Sequence, residues 1–146
     1  MTGKIREILK YPDPKLLVRS TEVAVFDDSL RDLALDLFET SVNVPWGKAV
    51  GLAAPQIGVN LRVFIANNQV FVNPEITHYS SERRMQLEGC YSLEDNRFSY
   101  RVSRARFIDL TWQDLSGRPH KKRFSRADAQ VIQHGYDHLE GRLCCG

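Results

Sequence analysis

His134 and His138 stand four residues apart near the C-terminus, and a single mid-chain thiol, Cys90, precedes them. On a helix at about 100° per residue, positions i and i+4 differ by roughly 40°, so both imidazoles project from one face a turn apart. That spacing can supply two ligands to one metal ion. A thiolate would complete a Cys/His/His set with an open fourth position for water, the arrangement of a catalytic rather than a structural metal. A cation held this way makes water a competent nucleophile near neutral pH. The same residues also have a plainer explanation, with the histidines in a satisfied core or on the surface and Cys90 a small buried hydrophobe.

Such a site needs a folded scaffold. The 146 residues are 42% hydrophobic and 26% charged, the balance of a globular protein, with one domain expected over residues 1–146. That composition argues against disorder, collagen-like repeats and a disulfide-dense miniprotein. No apolar run approaches the ~18 residues of a membrane span, and residues 1–7 lack the apolar segment of a secretory signal. Twenty basic and eighteen acidic residues leave a net charge of +2, too small to imply a nucleic-acid partner by itself. Of three cysteines, Cys144 and Cys145 adjoin at the C-terminal tip. A disulfide framework is therefore not expected, and a reducing, cytoplasmic setting is.

The prolines of Tyr11-Pro12-Asp13-Pro14 fix φ and favour an extended or turning path. A helix is expected next, capped by Asp27 or Asp28, with Leu30, Leu33, Leu37, Phe38 and Val42 in one apolar stripe. Residues 43–48, with Pro45 and Gly47, read as a loop. The small apolar run Val50-Gly51-Leu52-Ala53-Ala54-Pro55-Gln56 follows, then strands over 62–66 and 69–73, the second closed by Pro74. Residues 77–86 read as a polar connection leading into Leu87-Glu88-Gly89-Cys90. Residues 106–112 alternate, with Ile108, Leu110 and Trp112 on one face, and Asp114-Leu115-Ser116-Gly117 turns them into a basic strand ending near Phe124. The last element is a helix over 126–139, with Ser125 and Asp128 resembling a capping box and Gly141 suited to its end. Ala127, Val131, His134 and His138 share one of its faces. Strands first and the long helix last make the class α+β rather than alternating βαβ.

Three short segments carry a resemblance. Gln133-His134-Gly135-Tyr136-Asp137-His138-Leu139-Glu140-Gly141 resembles the third signature of the peptide deformylases, Q-H-E-x-D-H-L-x-G. Glu88-Gly89-Cys90-Tyr91-Ser92 resembles their second, E-G-C-L-S, and Ala49-Val50-Gly51-Leu52-Ala53-Ala54-Pro55-Gln56 their first. The order agrees, and the likeness runs from about Ile8 to Leu143. It implies a peptide-deformylase-like fold, small antiparallel sheets around a long C-terminal metal-binding helix. It further implies removal of the N-formyl group from the initiator methionine of nascent peptides. One divalent metal, natively often Fe²⁺ and with Zn²⁺, Ni²⁺ or Co²⁺ compatible with such ligands, would be held by Cys90, His134 and His138. The Gln56 side chain and the Tyr91 backbone N–H match the family's donors to the developing oxyanion. Arg97 matches an arginine that holds the substrate backbone, or is a solvated surface residue. Val50 and Val131 match walls of the methionine pocket, or are ordinary core. Gly51, Ala53 and Ala54 would let the backbone pass close to substrate, with tight packing the other explanation.

The main departure is Gly135, where the family has the glutamate that serves as general base and acid. Such assistance is worth ~10²–10⁴ in rate, so the resemblance implies impaired turnover. Glu140, about 140° round the helix, should face away, and Asp137 is expected to orient a histidine. Glu88 adjoins the thiol but is not placed by spacing. Glycine offers the helix no visible advantage, costing ~0.5–1 kcal/mol relative to alanine. The chain ends eight residues after His138, as in shortened, phage-encoded relatives. Two other readings stand beside catalysis. One is a metal-loaded scaffold that binds N-terminal methionine peptides without processing them. The other is nucleic-acid or ribosome binding through the basic residues between Arg97 and Arg126, against only Asp109 and Asp114 in that stretch.

Overall fold

A computed structural model describes residues 3–45, 49–93 and 100–144. Helix α1 (Asp28–Ser41) begins where Asp27, in extended conformation, accepts a hydrogen bond from the Ser29 amide at 3.0 Å, which satisfies one orphan donor of the first turn. Leu30, Leu33 and Leu37 of the expected stripe are buried. The stripe stops short of Val42, which follows the helix and is half exposed.

Strands β1 (Gly51–Ala53), β2 (Val63–Ala66), β3 (Gln69–Tyr79), β6 (Phe107–Gln113) and β7 (Pro119–Ser125) form a five-stranded sheet in that spatial order. Strands β4 (Arg83–Glu88) and β5 (Tyr100–Ala105) form a separate pair, and every pairing is antiparallel. Side chains alternate across the sheet and divide the core in two. Leu52, Val63, Ile65 and Val72 pack with α1 residues. Ala53, Phe64, Ala66, Phe71, Ile108 and Leu110 pack with Ala129, Ile132 and Leu139 of helix α2 (Arg126–Leu139). A sheet covered on both faces explains the unbroken apolar run of β2, buried at all four positions.

Two expectations about strands are corrected. Pro74 does not close β3, because the register with β6 shifts between Val72 and Glu75 and the strand continues to Tyr79. A bulge needs no ladder donor from proline. Asn73 takes φ 49° there and its amide bridges Val23 and Gln113. Residues 77–86 are not merely a connection, since they complete β3 and supply most of β4, which pairs in full with β5. Arg83, Arg84 and Met85 of β4 are all exposed, so no burial imposed an alternating pattern for the sequence to display.

The β6–β7 hairpin stands as expected. Ile108, Leu110 and Trp112 face the core, and Gly117 takes φ 83° in a turn held by the Asp114 carboxylate, which accepts from the Ser116 and Arg118 amides. Helix α2 begins differently. The Ser125 side chain makes no capping bond, and Asp128 instead accepts from Asn67 at 3.0 Å, so no capping box forms. At the other end Gly141 adopts φ 75° directly after Glu140, the left-handed position that terminates many helices. The buried face of α2 runs through Ala129, Ile132, Gln133 and Leu139, whereas Ala127 is exposed. No helix among the described residues is long and apolar enough to cross a membrane.

Candidate metal centre

Cys90 lies just beyond β4, and α2 brings both histidines to it. Cys90 Sγ is 3.3 Å from His138 Nε2, which is 3.2 Å from His134 Nε2. One ligand atom from each residue therefore lies within 4.8 Å of the others. Cys90 and His138 are buried, and His134 is partly open. Burial resists ionisation of the thiol, but His138 and His134 beside it outweigh that and lower its pKa to about 5. A thiolate with two imidazole nitrogens turned to one point is a donor set that fits a single divalent cation.

What fixes the imidazoles is a buried ion network. The His134 Nδ1–H donates to Glu88 Oε1 at 2.8 Å, which leaves Nε2 as the nitrogen beside His138 and Cys90. Burial lowers the ring's pKa, but hydrogen bonds to Cys90 and Glu88 outweigh it and raise it to about 9, so a cation would displace the Nε2 proton on binding. Glu88 is held in turn by Arg104, which donates Nε to Oε2 at 2.8 Å and Nη2 to Oε1 at 2.6 Å. Burial raises the Glu88 carboxyl, yet the hydrogen bonds from Arg104 and His134 prevail and hold it down at about 2. The remaining Arg104 nitrogen, Nη1, donates to Asp137 at 2.6 Å. Asp137 therefore pairs with an arginine rather than orienting a histidine, and His138 Nδ1 is buried without a hydrogen-bond partner among the described residues. Glu140 faces away as expected, 2.7 Å from Arg62. Glu88, His134 and Cys144 also gather ligand atoms within 4.8 Å, but both Glu88 oxygens are committed to Arg104.

Gln56 follows β1 in a short 3₁₀ turn, Ala54–Ile57. Its Oε1 accepts from the Ala53 amide at 2.9 Å, which directs Nε2 toward Ser92 Oγ at 3.1 Å and Cys90 Sγ at 3.6 Å. Tyr91 is partly buried in the turn beyond Cys90, and its carbonyl accepts from Lys10 Nζ. Val50 is 60% exposed, which removes the core explanation for it, while Val131 packs partly buried against the α2-side core. A Cβ at Gly51 would fall 3.1 Å from the Ile65 carbonyl oxygen and 3.3 Å from Val131 Cγ1, so tight packing accounts for that glycine. Arg97 lies outside the described residues. Gly135 sits in α2 between the two histidines over Phe64, where a Cβ would fall 2.8 Å from Phe64 Cδ1, so glycine does serve the packing there, contrary to expectation.

The sequence profile of the Polypeptide deformylase family matches residues 5–145. This chain belongs to the peptide deformylase family. A peptide deformylase from Zymomonas mobilis is 40% identical over 93% of this chain and 81% of the relative. One from Dictyoglomus thermophilum is 39% identical over 95% of this chain and 90% of its own length. The crystal structure of peptide deformylase from Thermotoga maritima superposes with a TM-score of 0.88 at 31% identity, covering 96% of this chain and 95% of that one. The sheets, the C-terminal helix with His134 and His138, and the nearby Cys90 are thus a peptide deformylase fold with the Cys/His/His site of a family metallohydrolase.

Sequence reasoning missed four residues of this deformylase-like centre. Arg104 stands in the basic stretch between Arg97 and Arg126 yet is 5% exposed. Gln133 is buried and clamps α2 to the sheet pair, bonding both the N–H and C=O of Ala105 at 3.0 and 2.9 Å. Ser92 is fully buried against Gln56, and Phe64 fully buried beneath Gly135. Gln133, immediately before the first histidine, and Ser92, at the end of the cysteine segment, were the signals available. The basic stretch is also less uncompensated than its composition suggested, since Arg106 pairs with Glu82, Arg123 with Asp109 and Arg104 with Glu88 and Asp137.

Proposed function

We propose that this chain holds one divalent cation through Cys90, His134 and His138 and hydrolyses N-formyl-methionyl peptides, at a rate lowered by glycine at position 135. The observation that carries the reading is the convergence of a low-pKa thiol and two Nε2 atoms within 4.8 Å of one another. When bound, the cation supplies Lewis acidity and makes water nucleophilic near neutral pH. Fe²⁺ is the proposed native ion, and Zn²⁺, Ni²⁺ or Co²⁺ suits the same donors.

The chain's own residues then divide the remaining work. Gln56 Nε2, 3.6 Å from Cys90 Sγ, supports a role as oxyanion donor together with the Tyr91 backbone N–H. The exposed Val50, with Gly51 and Val131 behind it, suits the wall of a pocket for the methionine side chain. Arg97 is proposed to hold the substrate backbone. The setting is the cytoplasm, with nascent chains as substrate and the ribosome as the partner that the basic strands would approach.

Impairment follows from what the nearby carboxylates do. Glu88 and Asp137 are tied to Arg104 and Glu140 to Arg62, so none replaces the glutamate that the resemblance puts at position 135. That same observation favours the second reading, a metal-loaded scaffold that binds N-terminal methionine peptides and releases them unprocessed. Single-turnover release of formate from a formyl-methionyl peptide, with metal occupancy matched to the Zymomonas mobilis relative, separates the two. The expected outcome is turnover ~10²–10⁴-fold slower than the relative. Equal rates would overturn the impairment, and peptide binding with no formate release would establish the scaffold.

A further inference from the structure

Glycine is a poor helix former, yet Gly135 occupies the interior of α2. A Cβ at this position would fall 2.8 Å from Phe64 Cδ1 and 3.0 and 3.1 Å from its Cγ and Cε1. Carbon atoms pack at about 3.5–4.0 Å, so any side chain at 135 begins in overlap with the van der Waals surface of the ring. Phe64 cannot step aside cheaply. It has no exposed surface, stacks on Phe71 with ring centroids 5.0 Å apart, and through Phe71 bears on Trp112 and Phe124. Moving it displaces an aromatic cluster at the centre of the α2-side core, where packing is dense and added volume is poorly tolerated.

We propose that Phe64 is a positioning residue that fixes position 135 as glycine and thereby keeps a carboxylate out of the turn between the two histidines. The proposal rests on the reading above, in which that carboxylate is what efficient deformylation requires. Residues 64 and 135 form one unit, with bulk on the sheet and none on the helix. Replacing Gly135 by glutamate therefore does not restore the site unless residue 64 shrinks with it.

The test is a set of metal-loaded full-length variants: Gly135→Ala and Gly135→Glu, each with Phe64 and with Phe64→Val. In an ordinary helix interior, glycine-to-alanine raises stability. Here Gly135→Ala lowers the Tm by a few degrees while Phe64 is present and raises it in the Phe64→Val protein. A rise in both backgrounds overturns the proposal. Gly135→Ala adds one methyl group and no charge, so the comparison survives even if Gly135→Glu alone fails to fold. The kinetic arm reads kcat per folded molecule, and the Phe64→Val/Gly135→Glu protein exceeds Gly135→Glu at least tenfold. Equal kcat values would assign Phe64 a purely structural role and overturn its positioning role. A sign reversal in Tm, with that double variant faster than Gly135→Glu but no faster than the unaltered chain, sustains the proposal and refutes the impairment on which it rests.

Discussion

Arg104 carries more of the site than any residue that would touch the cation. It is buried, neutralises Glu88 through two short bonds, and reaches Asp137 with its third nitrogen. Glu88 in turn holds His134 through Nδ1, so that Nε2 is the nitrogen left for a ligand. Arg104→Met leaves Glu88 charged in the interior without its arginine, held only by His134 and Gln130, with an expected loss of up to roughly 3–5 kcal/mol by urea unfolding. Adding Glu88→Leu removes the stranded charge and the acceptor for His134 together, and recovers much of that stability without restoring the orientation of His134. Metal affinity therefore stays ~10–100-fold lower in both variants. Full affinity in the double variant would show that the network serves the fold alone. None of this was legible at the residue scale, because Arg104 lies 16 positions from Glu88 and 33 from Asp137 and sits among surface-like arginines.

The elements that hold the ligands were legible in proportion to how local their determinants are. Helix α1 announced itself through Leu30, Leu33 and Leu37, and the β6–β7 hairpin through its alternation and turn residues. Strand β4 was hidden because its exposed polar positions need no alternation, and β5 because a buried arginine, Arg104, breaks its apolar pattern. The end of α2 was read correctly from Gly141, and its reason is stronger than capping. The residue has φ 75°, and a Cβ would fall 2.8 Å from the Leu17 carbonyl carbon. Left-handed backbone alone costs an L residue ~1–2 kcal/mol, so Gly141→Ala is expected to lose at least that much, seen as a Tm several degrees lower. Because Ser20 and Arg62 both donate to the Leu139 carbonyl beside it, the same change should loosen the helix end that follows His138. Faster amide exchange over residues 138–143 is the measurement, and exchange unchanged there would confine the effect to local strain.

Across the whole molecule, the centre joins two parts of the chain whose contact the metal would reinforce. Cys90 comes from the end of the β4 segment and the histidines from α2, 48 positions away for His138. A ligand that binds only the folded state stabilises by about 2.7 kcal/mol at 100-fold excess over its Kd, or ~5–10 °C for a chain of this size. Adding Zn²⁺ or Co²⁺ to metal-free protein is expected to raise the Tm by that amount, and a chelator to reverse it. Cys90→Ala should abolish the shift; an undiminished shift in that variant would place the cation elsewhere. The sequence by itself determined the family, the α+β class and the three ligands, because each depends on short-range spacing or on words a few residues long. Only the tertiary structure decided that Glu88 and Arg104 orient His134, that Glu88, Asp137 and Glu140 are each tied to an arginine, and that Gly135 rests against Phe64. Those facts are contacts between residues tens of positions apart, and neither periodicity nor composition encodes which distant side chain will fill a given volume or balance a given charge.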